Sequence, residues 1–492
     1  MELEQLSGTE LGYLVNTGSL NATEIVQYFA DRIEARNPSI NAFTYTRIEE
    51  ALQDARWIDQ QAFSGKYLGP FAGVPVALKD FLPSKKGWTN SHGGVKSLIA
   101  TDDADSEFWS AARHLGAIAI GKTNAPAFGF SGACQNKLYG KTSNPFDLSR
   151  TSGGSSGGSG AAVADGLVPF AEGGDAGGSI RIPAGWCNLF GFKASLGTIP
   201  SRCRPDGWAA THPYCVNGAL TKTVLDAATL LDHMAHYDRR DPMSLPINAT
   251  KRFRVLINKP IKGMKIAYTR DFDLYPVDPK VRTAVWTAVK KLEDAGATIT
   301  PVSFEWKHSL DEMMRCWAWA ISVDTALDLA YWKANGLDLV KDHRDELPEE
   351  FIYFNEIASK ASIFDMRTFN EIRTDILDNF EDKLDQYDAI ISPTAACLPM
   401  PHSDNGRAIE IDGVKMNPEL NFISFAETAL VNFIGYPAAS VPAGLVDDHI
   451  PVGMQIIGKQ YHDEDVLAIS RTFEEIQPWR KHYEIPFNRL IK

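Results

Sequence analysis

Two glycine-rich clusters lying within thirty residues of each other constrain this chain more than anything else in it. The first, TSGGSSGGSG at 151–160, runs at once into Ala161-Ala162-Val163-Ala164 and then Val168-Pro169-Phe170. The second comes next as Gly173-Gly174-Asp175-Ala176-Gly177-Gly178-Ser179. By composition alone the first segment is a flexible linker, because Gly and Ser leave the backbone unrestrained. Its flanks are not domain edges, however: two Gly/Ser turns bracket one short helical stretch and lead into Ile180-Arg181-Ile182-Pro183. That arrangement reads as a built site. Glycine lets backbone N–H groups approach a ligand, and a cluster of them can receive a developing oxyanion.

The remaining composition removes alternatives. The 492 residues are 44% hydrophobic and 23% charged, a balance ordinary for a globular chain, and one large domain with insertions is expected over 1–492. Forty-nine Lys and Arg against 62 Asp and Glu give a net charge of −13, which repels phosphate backbones and anionic lipid. Neither a nucleic acid nor a membrane is an expected partner. The start, MELEQLSGTELGYL, has no basic n-region or apolar h-region, and no apolar run approaches the roughly 20 residues that span a bilayer. Six cysteines without a C-x-x-C pair suggest neither a disulfide scaffold nor a zinc knuckle and fit a reducing cytoplasm.

Along the chain, 1–60 reads as a helical packing arm, with Asn21-Ala22-Thr23-Glu24 as a capping box and Ile25, Tyr28, Phe29 and Ile33 at helical spacing. From residue 70 strand and helix patterns alternate: Val74–Leu78, Asp105–Leu115, Ala117–Ile120, then Met264–Tyr268, Lys280–Ala295, Ala297–Val302, and later Ala389–Ser392 and Val452–Ile457. The expected fold is α/β, a mixed central sheet covered by helices on both faces. The interval 305–380, rich in Trp, Tyr, Phe and Met at helical spacing, reads as a helical insertion.

The segment Gly153-Gly154-Ser155-Ser156-Gly157-Gly158-Ser159, then Gly177-Gly178-Ser179-Ile180-Arg181-Ile182-Pro183-Ala184, with Gly73-Val74-Pro75-Val76-Ala77-Leu78-Lys79-Asp80 upstream, resembles the amidase signature hydrolases. Gly121-Lys122-Thr123-Asn124, Asn144-Pro145-Phe146, Gly191-Phe192-Lys193 and Gly435–Pro442 are similar as well. The resemblance is strong over 70–200, the expected catalytic core, and returns at 385–475. Gly174 stands where the family usually has Thr, and Ser152 where it often has Pro. The resemblance implies amide hydrolysis with Ser179 as nucleophile, Ser155 as bridging serine and Lys79 as base. No metal and no cofactor are implied, and the partner is a small-molecule amide, with a homodimer left open. The 157–164 run and Cys316 are similar, within that family, to cyclic amide oligomer hydrolases of the nylon-degrading type.

Chemistry supports those roles independently. A serine hydroxyl needs a base, and a lysine serves only when neutral; burial at the end of the apolar run Val74–Leu78 supplies the desolvation that lowers its pKa. The N–H groups of Ala176, Gly177, Gly178 and Ser179 are the expected oxyanion hole, worth about 3 kcal/mol per donor. Ser156 and Ser159 read as turn formers, Asp175 and Arg181 as structural. Gly129, Ser131, Cys316 and Trp319 are expected to touch substrate. Leu310, Met314, Trp317 and Ile321 form an apolar stripe facing the core, which would turn Cys316 and Trp319 toward a ligand. Trp317, Trp319, Tyr331, Trp332 and Phe351 suggest a pocket for bulky apolar acyl or aryl groups.

Rival patterns fit less well. Gly116 to Thr123 matches G-x-x-x-x-G-K-[ST], but its Ala-Ile-Ala-Ile interior is strand-like and Pro126 interrupts any helix after it. Gly153 to Gly157 matches G-x-S-x-G, yet no strand is expected before it. His233 and His236 stand three apart without a carboxylate constellation. Two other readings stay open: an amidotransferase-like subunit delivering ammonia to a partner, and a non-catalytic binding protein on the same scaffold.

Overall fold

The computed structural model describes residues 2–204, 206–209 and 214–490. Its centre is an eleven-stranded sheet. In chain order the strands are β1 (Phe43–Thr46), β2 (Pro75–Lys79), β3 (Ile118–Thr123), β4 (Phe170–Asp175), β5 (Phe190–Lys193), β6 (Val216–Thr221), β7 (Lys265–Tyr268), β8 (Thr298–Pro301), β9 (Ala389–Pro393), β10 (Ala438–Val446) and β11 (Ile450–Gly458). Their spatial order is β1-β3-β2-β4-β6-β5-β10-β11-β9-β7-β8. Neighbours β3, β2 and β4 run parallel, as do β9, β7 and β8; the pairs between them are antiparallel, so the sheet is mixed as expected. Central strands such as β2 and β11 are buried along their whole length, which is why they read as continuous apolar runs rather than alternating ones.

Helices flank the sheet. The amino-terminal arm supplies α1 (Gly8–Asn16), α2 (Ala22–Ile40) and α3 (Ile48–Phe63). It is not purely helical, because β1 lies between α2 and α3 and pairs with β3. Glu107–His114 forms α4, Gly157–Ala164 α5 and Arg181–Trp186 α6. The interval 305–380 holds α7 (Leu310–Ala334), α8 (Glu349–Ala358) and α9 (Ile363–Leu384), with the short helix Leu339–Asp342 between α7 and α8. Among the described residues no helix is long and apolar enough to cross a membrane.

The linker reading of 151–160 fails in physical terms, since every residue of that segment is buried. A Cβ at Gly158 would lie 2.4 Å from the backbone N and O of Asn124, so only glycine lets α5 pack this closely. A second correction concerns the approach to Gly153. Asp147–Thr151 is a strand after all, paired with Ser143–Asn144 in a two-stranded ribbon outside the main sheet. The P-loop look-alike resolves as expected: Ile118–Thr123 is a buried strand.

Candidate active site

β2 and β4 are adjacent and parallel, and both end at the same edge of the sheet. Lys79 is the last residue of β2, and β4 passes from Asp175 into the turn 176–180. Carboxyl ends of parallel strands are where α/β sheets gather ligand-binding groups. Ser155 comes from a third direction, two residues before α5.

Lys79, Ser155 and Ser179 line one cavity of about 220 Å³. Lys79 Nζ donates to Ser155 Oγ at 2.7 Å. Both side chains are nearly inaccessible, Lys79 at 5% and Ser155 at 3% exposure. Ser179 is half-buried. Burial is the main influence on Lys79 and lowers its pKa to about 8, against the opposing pull of Cys215, Cys134, Glu172 and Asp175. The sequence placed this lysine behind an apolar run, and that run supplies the desolvation.

The turn 176–180 is held from several sides. Asp175 and Arg181 form a fully buried bidentate pair, Nε to Oδ2 at 2.9 Å and Nη2 to Oδ1 at 2.8 Å. Burial raises the pKa of Asp175, but Arg181 and other donors override it and hold the carboxyl at about 2. Arg181 also donates to Gln455 Oε1 at 2.5 Å and Asn432 Oδ1 at 2.7 Å. Thr428 donates to the Gly177 carbonyl at 2.8 Å, and the Trp317 indole donates to the Ala176 carbonyl at 3.1 Å. Gly178 has φ +118°, and a Cβ there would lie 1.9 Å from Thr428 Oγ1, so no other residue fits.

These contacts correct the expected donor set. Gly178 N–H is taken by Asp175 Oδ1 at 2.8 Å, which leaves Ala176, Gly177 and Ser179 as the expected oxyanion donors. Gly129 lines the cavity beside Ser155: a Cβ on it would lie 3.3 Å from Ser155 Oγ. Ser131 does not line it; its hydroxyl accepts from Ala133 N–H at 3.1 Å, and its carbonyl backs Gly154.

The expected orientation of α7 is reversed. Trp317 and Ile321 line the cavity, with Asp324, Thr325 and Asp328 further along the same face. Cys316 is buried in the core, and Trp319 packs on Phe369 of α9 at 5.8 Å. Phe81, Phe128, Cys215 and Asn217 are wall residues that the sequence did not single out. Asn217 faces Gly174 across the β4–β6 register, and a Cβ at Gly174 would sit 3.3 Å from Asn217 Oδ1. His233 lies against His114, and among the described residues no cluster of His, Cys, Asp and Glu could hold a metal.

Residues 24–467 match the family described as Amidase, and the chain belongs to that family. It is accordingly an amide hydrolase. It is 32% identical over 481 residues to an acylamidase of Rhodococcus erythropolis, covering 97% of this chain and 96% of that one. It is 31% identical to a glutamyl-tRNA(Gln) amidotransferase subunit of Carboxydothermus hydrogenoformans, covering 98% and 99%. Among solved structures, a bacterial aryl acylamidase of the amidase signature family superposes with a TM-score of 0.94 at 34% identity, over 99% of both chains. A 6-aminohexanoate cyclic dimer hydrolase superposes with a TM-score of 0.84 at 26% identity, over 97% and 98%.

Proposed function

We propose that the chain hydrolyses carboxylic amides with bulky apolar acyl or aryl groups through an acyl-enzyme on Ser179. Support comes above all from the 2.7 Å contact between Lys79 Nζ and Ser155 Oγ in a cavity that Ser179 also lines. Neutral Lys79 accepts the Ser155 proton as Ser155 accepts that of Ser179, and Ser179 Oγ attacks the amide carbon. The N–H groups of Ala176, Gly177 and Ser179 receive the oxyanion. Ser155 then passes the proton to the leaving nitrogen, the C–N bond breaks, and water attacking the acyl carbon frees Ser179 by the reverse relay. Walls formed by Phe81, Phe128, Trp317 and Ile321 favour an aryl or long acyl group. A cytoplasmic location belongs to the same proposal, supported by six free cysteines.

The amidotransferase subunits among the relatives support a second reading, release of ammonia from glutamine for a partner. Assaying an anilide beside glutamine separates the two. Faster hydrolysis of the anilide, lost by about 10⁴-fold or more in Ser179→Ala, is expected. Preferential glutamine hydrolysis would install the second reading instead.

A further inference from the structure

The cavity has a polar far end that amide hydrolysis alone does not require. Its wall on α7 is one helical stripe, Trp317, Ile321, Asp324 and Asp328, at steps of four, three and four residues. Trp317 is fixed to the Ala176 carbonyl at 3.1 Å, so the stripe begins at the reacting end. At 1.5 Å of rise per residue, Asp324 stands about 10 Å further along the helix and Asp328 about 16 Å. The first part of the stripe is apolar and lines the cavity together with Phe81 and Phe128; the second part carries two carboxyl groups.

Several deeply buried carboxylates are matched, Asp102 with Lys122, Asp165 with Arg36 and Asp175 with Arg181, whereas the half-buried Asp324 is not. Among the described residues no cation offsets the charge of either Asp324 or Asp328. They lie four apart on one helix, a spacing at which like charges destabilise it. Asp206 adds a third negative charge nearby. Burial first, then Asp206 and Asp328, raise the proton affinity of Asp324 to a pKa of about 7. Asp328 and Asp206 are exposed and Asp324 is half-buried, so it is Asp324 that the cavity partly withdraws from water with no counter-ion among the described residues. An incoming cation reverses the balance, since it supplies the missing partner inside a partly desolvated site.

We infer that the preferred substrates are amides carrying a cationic amine at the end remote from the scissile bond, with the aryl or alkyl body between Phe81, Phe128 and Trp317 and the ammonium group on Asp324. This rests on the acyl-enzyme reading above, because that reading puts the scissile carbonyl beside Ser179. Asp324 is thereby a specificity residue that touches substrate without taking part in bond breaking. Asp328 and Asp206 reinforce the potential.

Two pairs of amides, matched in shape and differing in charge, test this at pH 7: 4-(2-aminoethyl)acetanilide against 4-propylacetanilide, and 6-aminohexanoyl anilide against heptanoyl anilide. The ammonium member of at least one pair should lead in kcat/KM by about tenfold or more. Asp324→Asn, which keeps the shape, should bring that ratio to within about twofold while barely moving the neutral member. Equal rates for charged and neutral members of both pairs overturn the inference, as does an Asp324→Asn variant that slows both members in parallel. If neither pair turns over, the same ratios are read as dissociation constants on Ser179→Ala protein by calorimetry, with the same criteria. Absence of fluorophosphonate labelling at Ser179 overturns the acyl-enzyme reading, and the binding ratio still decides on Asp324.

Discussion

The indole N–H of Trp317 donates to the carbonyl of Ala176 at 3.1 Å, tying the long helix of the insertion to the turn that carries Ser179. A residue of the cavity wall therefore also steadies the turn that holds the proposed oxyanion donors. A Cβ at Gly177 would lie 2.7 Å from the Trp317 ring, so ring and turn are in direct contact as well.

Trp317→Phe keeps the ring and loses only the N–H. A neutral hydrogen bond contributes about 0.5–1.5 kcal/mol, so kcat should fall roughly 2–12-fold with KM little changed. Gly177→Ala should be more severe, because the added methyl displaces the indole. Steady-state kinetics on a small anilide checks both. Wild-type kcat in Trp317→Phe would show that the contact does not steady the turn.

Lys79 gives a pH prediction with a definite sign. Its pKa falls from 10.5 to about 8 on folding, so the neutral amine that the proposed mechanism needs accumulates as pH rises through 8. The kcat/KM profile should climb to a plateau above that value, and Lys79→Arg should lose at least about 10²-fold, since guanidinium stays charged. The unfolded chain holds this proton up to 10.5, whereas the folded chain releases it near 8. Stability therefore carries a penalty of about 3 kcal/mol below pH 8 that is relieved as pH rises toward 10.5. Lys79→Met should be inactive yet melt higher than wild type at pH 7, with the gap closing by pH 10. A lower melting temperature for Lys79→Met at pH 7 would contradict this.

Much of this site was legible because its chemistry and its local burial coincide. Lys79 ends a continuous apolar run, and that run is a strand buried on both faces. Other parts were hidden. β1 has four residues within a helical arm, too short for a period to emerge. Asp147–Thr151 is polar, since its ribbon lies outside the main sheet and half of it faces solvent. Loss of the Gly178 donor to Asp175 depends on where a side chain folds back, which spacing does not encode. The reversed face of α7 has the most general cause. A cavity built for apolar groups is lined by the same residue types as a core, so helical periodicity cannot separate Trp317 from Trp319. Asp324 and Asp328, continuing the Trp317 stripe at i+7 and i+11, were the signal that this face meets something other than packed side chains.

The ion pair behind the turn should be indispensable. Arg181→Leu leaves the Asp175 carboxylate buried without its partner, at a cost of about 3–5 kcal/mol. Asp175 is depressed from 3.8 to about 2, so its contribution is present above pH 3.8 and is lost as pH falls through 2. Denaturant unfolding of Arg181→Leu at pH 7 checks the first statement; a loss under about 1 kcal/mol would contradict it.

Cys316 and Trp319 now carry the opposite expectation from the cavity wall. Trp319 packs on Phe369, and Cys316 is buried, so Cys316→Ala and Trp319→Ala should lower the melting temperature and reduce kcat/KM alike for short and bulky amides. Ile321→Ala, on the cavity face, should instead redistribute kcat/KM between the two by about 1–3 kcal/mol. Thermal melts paired with kinetics on a short acetamide and a bulky aryl amide separate the faces. A selectivity change in Trp319→Ala without destabilisation would restore it to the wall.

The proposed mechanism depends most on Ser179 as nucleophile and Ser155 as relay. Intact protein treated with a fluorophosphonate and digested for mass spectrometry tests it directly. A single adduct on the peptide bearing Ser179, absent from a folded Ser179→Ala variant, is the predicted result. An adduct on Ser155, or labelling that persists in Ser179→Ala, would contradict it.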